Sequence, residues 1–145
     1  MTEDSASARR RIVLRVVFLA YLVIIGTIVF WPQHVDGAAV PVIDAVHRQV
    51  PPVTYNRVEF AANIGLFVPF GLLLTPLMRR WWPVVPIGFA VTSTIELVQA
   101  TLLPGRTGSL LDIAANTLGT AIGMLLALAA RYLVLRKRTA AHTPR

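Results

Sequence analysis

Four stretches of this chain run for about the length of a bilayer core with almost no charge, and no other feature constrains its fold as strongly. Crossing a ~30 Å hydrocarbon layer takes roughly 20 helical residues. Residues 12–31 hold one charge, Arg15, and residues 60–77 hold none. Residues 82–103 hold only Glu96, while 110–132 carry Asp112 near their start and Arg131 at their end. Hydrophobic residues make up 55% of the 145 and charged residues 14%, against about 25% charged in an ordinary soluble domain. A soluble globular fold is excluded. The expected fold is all-α, an integral membrane bundle of four transmembrane helices at about 12–31, 60–77, 82–103 and 110–132.

The connections follow by subtraction. Residues 32–59 form a long loop, within which residues 38–50, with Val42, Ile43, Val46 and Val50 at helical spacing, read equally as a short amphipathic piece on the membrane surface or as a plain surface loop. Residues 78–81 and 104–109 are tight turns. A basic segment, 1–11, precedes a membrane domain of 12–135, and a basic tail, 136–145, follows it as solvated chain. Arg9-Arg10-Arg11 has the look of a signal-peptide n-region, but the apolar run behind it exceeds the roughly 7–15 residues of such a signal. An uncleaved first span is expected.

The formal charge of +7 raises the question of nucleic acid. Its distribution answers it. With the N-terminus inside, Arg9, Arg10, Arg11, Arg15, Arg79, Arg80, Arg131, Arg136, Lys137, Arg138 and Arg145 are cytoplasmic, 11 of the 14 basic residues, and only Arg48, Arg57 and Arg106 fall outside. The positive-inside rule thus selects cytoplasmic N- and C-termini, and no nucleic-acid partner is needed. The expected location is the bacterial cytoplasmic membrane, with the lipid bilayer as the obligatory partner.

Against that topology, five polar residues stand at a costly depth. Glu96 lies seven residues before Leu103 and so roughly 10 Å below the outer surface, with Gln99 one turn shallower. Asn63 enters the second helix from its outer end, and Asp112 and Asn116 occupy the first two turns of the fourth. Arg106 sits in the connecting turn at the same level. Spacings of three (Glu96, Gln99) and four (Asp112, Asn116) put each pair on one helix face. A charge at mid-membrane costs roughly 2.5–3.5 kcal/mol, so such groups face a cavity or a partner. These six residues form the candidate binding site, an outward polar pocket in which Arg106 pairs with Glu96 or Asp112. The alternative is packing: buried polar groups join membrane helices for about 0.6–2 kcal/mol each, and Ser109 or Asp112 is placed to cap the fourth helix. Ala115, Gly119, Gly123 and Ala127 form a small-residue ladder that admits a close neighbour, and Pro69 and Gly71 shape the second helix.

The order Asn63-Ile64-Gly65-Leu66-Phe67-Val68-Pro69-Phe70-Gly71, Glu96-x-x-Gln99, Arg106, Asp112-x-x-x-Asn116-x-x-Gly119 and Gly123 resembles the VanZ-like family over residues 59–127. The resemblance implies a small polytopic membrane protein of the bacterial envelope, linked in its namesake to teicoplanin, hence glycopeptide, resistance. It implies no agreed mechanism, substrate or cofactor. On its motif the family positions are Asn63, Glu96, Gln99, Arg106, Asp112 and Asn116.

Three function classes remain. The leading one is binding of a lipid-linked or anionic envelope component at the outer face, with Arg106 on its phosphate or carboxylate. A catalytic version would set Glu96 and Asp112 as acid and base, but the chain has no nucleophile constellation, no cysteine and only three histidines, so no metal site, cofactor or recognisable enzyme motif emerges. A proton- or ion-coupled transporter would need an acid or histidine in the inner halves of the spans, and none is there. A structural membrane partner, dimerising through Gly119 and Gly123, is the third.

Overall fold

The computed structural model describes residues 3–30, 54–102 and 109–141, and among them every regular element is helical. Four long helices follow one another: α1 (Glu3–Val29), α2 (Tyr55–Leu74), α3 (Val84–Leu102) and α4 (Leu110–Ala141). A single 3-10 turn, Thr75–Leu77, closes α2. Each long helix, α2 together with its 3-10 turn, provides a segment long and apolar enough to cross a membrane: Ser7–Val29, Asn56–Leu77, Val84–Leu102 and Leu110–Lys137. The chain is thus a multi-pass membrane protein. The proposed surface piece in the long loop and the turn bearing Arg106 lie outside the described residues.

Two helix ends depart from expectation, for the same reason. α1 begins at Glu3 rather than Ile12, so the arginine triplet is its second and third turns. α4 continues without a break to Ala141 and takes in most of what reads as a separate basic tail. In both places the added residues include alanine and several arginines, and neither stretch has an internal glycine or proline. Charge moves a segment out of hydrocarbon but does not end a helix, because arginine and lysine are good helix formers. At about 48 Å, the 32-residue α4 is longer than the hydrocarbon core is thick.

Prolines are placed where the backbone tolerates them. α3 starts just after Pro83, whose carbonyl accepts the Ile87 amide at 2.9 Å, and Pro86 falls in the first turn, where a helix has unpaired amides in any case. α2 runs through Pro69 as one element. At its end the Thr75 hydroxyl donates to the Gly71 carbonyl at 2.6 Å.

The bundle is held by two different kinds of contact. Between α1, α2 and α3 lies an aromatic and aliphatic cluster of Ile25, Phe67 and Phe70, flanked by Phe18, Tyr21, Ile87 and Val91. Phe18 meets Phe70 with ring centroids 5.6 Å apart, and the Tyr21 hydroxyl donates to the Leu66 carbonyl at 2.7 Å. Tyr21 needs that partner because a bare hydroxyl among these side chains would be desolvated without compensation.

Between α2 and α4 the contact is backbone on backbone. A Cβ added at Gly119 would meet the Ile64 carbonyl, one at Gly123 the Val68 carbonyl, and one at Gly71 the Thr120 carbonyl. The glycines alternate between the two helices and let each settle against the other's main chain, the close approach that small residues permit in membranes. Gly88 of α3 receives the Thr120 side chain in the same way. Gly119 and Gly123 are therefore taken up within one chain. Dimerisation through them would require α2 to leave.

Candidate functional site

At the end of the bundle where α3 finishes and α4 begins, polar side chains of α2, α3 and α4 meet the carboxyl end of α1 and the amino end of α4. The arrangement starts with a backbone problem. A helix that stops within the membrane leaves amides or carbonyls without partners, and no water is there to take them. α3 supplies both remedies. Its Glu96 carboxylate accepts the Ser109 amide, just ahead of α4, at 2.8 Å. Its Gln99 side-chain amide donates to the carbonyl of Val29, the last residue of α1, at 2.9 Å. The Glu-x-x-Gln pair thus caps two neighbouring helices, one at its amino end and one at its carboxyl end. Glu96 is 6% exposed and Gln99 8%, so neither faces lipid.

α4 completes its own start. The Ser109 hydroxyl accepts the Asp112 amide at 3.2 Å, as an N-cap serine does. Asp112, in the first helical turn, takes a hydrogen bond from the Asn63 side-chain amide of α2 at 2.8 Å. Both carboxylates, Glu96 and Asp112, therefore stand at the amino terminus of α4, where the helix dipole favours negative charge.

One turn deeper the seam narrows. The Asn116 side-chain amide donates to the Thr92 hydroxyl at 2.8 Å, joining α4 to α3. Below that, the Thr120 hydroxyl donates back to the Asn116 carbonyl at 3.0 Å while its side chain lies against Gly88. Side-chain size falls along α3 from Glu96 through Thr92 to Gly88, so the polar seam tapers from one end toward the middle of the bundle. Thr92 and Thr120 are fully buried.

Asn63, Glu96, Gln99, Asp112 and Asn116 all stand at this end, and four of them bond across helices to one another's turns. Arg106, the sixth expected site residue, lies in residues 103–108, outside the described part, and so does its expected pairing. Sequence spacing also passed over Tyr21 and Thr120. Their signal is weak, since a lone tyrosine or threonine in an apolar run is common.

Not every group is satisfied. Asn116 is 5% exposed, and its side-chain carbonyl oxygen, Oδ1, has no hydrogen-bond partner. The buried Thr117 hydroxyl also lacks one, although Thr27, Thr75, Thr94, Thr101, Thr120 and Thr139 each donate to the carbonyl four residues back. A buried acceptor without a donor costs about 1–3 kcal/mol and calls for an explanation.

Among known proteins, the family model described as VanZ/LLP1 matches residues 18–133, from the aromatic cluster of α1 into the membrane-crossing segment of α4. No curated protein and no solved structure matches the chain. The match includes every residue of the polar seam and leaves out both arginine-rich ends.

Proposed function

The chain belongs to the VanZ/LLP1 family, and on that premise we propose that it is a cell-envelope protein of the bacterial cytoplasmic membrane whose polar end faces outward and binds a lipid-linked or anionic envelope component. Orientation rests on the charges: Arg79 and Arg80 lie at the opposite end from Glu96 and Asp112, on the side of the basic termini. Arg106, which the sequence places between α3 and α4, is the group assigned to the ligand's phosphate or carboxylate. The consequence in the cell is reduced susceptibility to teicoplanin, whose wall-precursor targets are met on that side.

The observation that carries the reading is Asn116. Packing accounts for the amides of Asn63 and Gln99 and for the bond from Ser109 to Glu96, because each of these links two helices. It gives no reason for an asparagine carbonyl held within the bundle with no donor. An acceptor so placed, one turn below Asp112, suits a ligand that brings a hydroxyl or N–H beside its anionic group. The transporter alternative gains nothing, since the seam ends at Gly88 and Thr120 with no acid or histidine beyond them on those faces.

The test is teicoplanin susceptibility of a sensitive strain expressing the wild type, Arg106→Ala, or the pair Thr92→Val with Asn116→Leu, at matched membrane abundance. Removing both partners of the Thr92–Asn116 bond is close to neutral for folding, so abundance should hold. The wild type is expected to protect and both variants to lose protection. Protection retained by the double variant would return Asn116 to a packing role, and an inserted wild type that gives none would remove the resistance reading.

A further inference from the structure

The face of α1 that packs on the bundle continues past the packing. Phe18 and Leu22 flank the apolar cluster, and Arg11 and Arg15 each stand seven residues, two turns, before one of them. Both arginines therefore prolong the same stripe toward the basic end of the bundle. α1 and α2 run antiparallel here: the Tyr21 hydroxyl meets the Leu66 carbonyl and the Phe18 ring meets that of Phe70. Carried on at the same rise, this register sets Arg15 level with about Leu73 and Arg11 with about Leu77. α1 still lies against the 3-10 turn Thr75–Leu77, and Arg79 and Arg80 follow that turn directly after Met78. All four arginines are exposed.

Four positive charges thus stand at one end of two adjoining elements, and the chain supplies them with no counter-ion. Among the described residues, Arg11, Arg15, Arg79 and Arg80 make no hydrogen bond or ion pair. Glu59, Glu96 and Asp112 belong to the opposite end, and Glu3 and Asp4 lie seven or more residues before Arg11. Arginine keeps its charge at any depth. Arg15 is the costliest of the four, because it lies one turn further into the span than Arg11, beside Ile12, Val16 and Leu19, which are all more than half exposed to lipid.

We propose that these four arginines hold the phosphate of an anionic phospholipid, in the leaflet at the basic end of the bundle. The site is separate from the polar seam and does not depend on what the seam binds. Guanidinium forks match phosphate oxygens two by two. Depth selects a lipid over a soluble anion: Arg15 extends its stem along hydrocarbon toward the headgroup layer, where a lipid brings its phosphate already anchored. The same turn carries Trp81 and Trp82, 54% and 57% exposed, and tryptophan settles at headgroup level. Charge selects an anionic lipid over a zwitterionic one, since a choline headgroup adds a cation that four unpaired arginines repel.

The test places the purified full chain in detergent micelles with equimolar phosphatidylglycerol and phosphatidylcholine and counts retained lipid by native mass spectrometry. The wild type is expected to retain phosphatidylglycerol several-fold over phosphatidylcholine. Arg15→Gln with Arg79→Gln should bring the two lipids level, whereas Arg136→Gln with Lys137→Gln, which removes the same charge near the end of α4, should leave the preference unchanged. Both pairs should melt like the wild type in lipid-free micelles. Arg11→Gln with Arg80→Gln removes the other half of the site, should act like the first pair, and replaces it if that pair does not fold. Inorganic phosphate in excess should displace nothing. Equal retention of both lipids by the wild type, equal losses for the site pairs and the α4 pair, or displacement by phosphate would each overturn the proposal: the first denies a preference, the second makes it diffuse charge, and the third makes the site one for a soluble anion.

Discussion

Replacing Gly123 by alanine should cost about 3 kcal/mol or more and deplete the protein from the membrane, while the same replacement at Gly65 should change stability by no more than about 1 kcal/mol. The two glycines lie in the two helices of the tightest interface in the bundle. At Gly123 a methyl group would meet the Val68 carbonyl and lie 2.7 Å from the Leu72 amide nitrogen, both of them main chain and unable to turn aside. Relief requires α2 and α4 to separate, and with them the alternating contacts at Gly71 and Gly119. At Gly65 nothing lies within 4 Å, so alanine there meets only lipid and gains helix propensity. Thermal unfolding in detergent micelles and membrane abundance are the two readouts. An abundant and stable Gly123→Ala protein would contradict the close α2–α4 packing.

The second large effect is an asymmetry between two residues one turn apart. Gln99→Glu should destabilise by about 2–3 kcal/mol, and Glu96→Gln far less. Gln99 serves as a donor, to the Val29 carbonyl; a carboxylate in its place would lose the bond and set a negative oxygen against the carboxyl end of α1. Glu96 serves as an acceptor, from the Ser109 amide; glutamine keeps an acceptor oxygen for that bond and gives up the favourable charge at the α4 terminus, worth about 0.3–1 kcal/mol. Glu96→Leu, which removes the acceptor, should resemble Gln99→Glu. The same melting assay decides the matter, and equal losses for the two amide–acid exchanges would show that the helix ends are not capped by α3. It follows that Glu96→Gln reports on function with little disturbance of the fold.

What the sequence reveals and what it withholds divide along physical lines. The four spans are legible because a bilayer imposes a length and an apolar composition that few other environments demand. Helix ends are less so: Arg9 to Arg11 and Arg136 to Arg138 mark where hydrocarbon stops, yet their backbone goes on as helix. Spacings of three and four disclose that Glu96 and Gln99 share a face and that Asp112 and Asn116 do. They do not disclose partners, because the Ser109 amide and the Val29 carbonyl are main-chain groups that every residue possesses. The small-residue ladder at Gly119 and Gly123 announces a close neighbour but not whether it is another chain; the answer, α2, depends on Gly71 meeting it from the other side. Asn116 shows the limit most clearly. Its depth is readable, whereas its unpartnered oxygen emerges only once Thr92 and Thr120 have taken their places around it.

Binding of an envelope component at the seam requires the polar end to face away from the cytoplasm. Because the chain contains no cysteine, single substitutions report its topology without background. Thr101→Cys, exposed in the last turn of α3, and Trp81→Cys, exposed in the turn before it, should be compared by labelling with a membrane-impermeant maleimide in cells whose cytoplasmic membrane is accessible from outside. Labelling of Thr101→Cys in intact cells, with Trp81→Cys reacting only after permeabilisation, is the predicted result. The reverse pattern would place Glu96, Asp112 and Asn116 on the cytoplasmic side and contradict binding of an envelope component at the outer face.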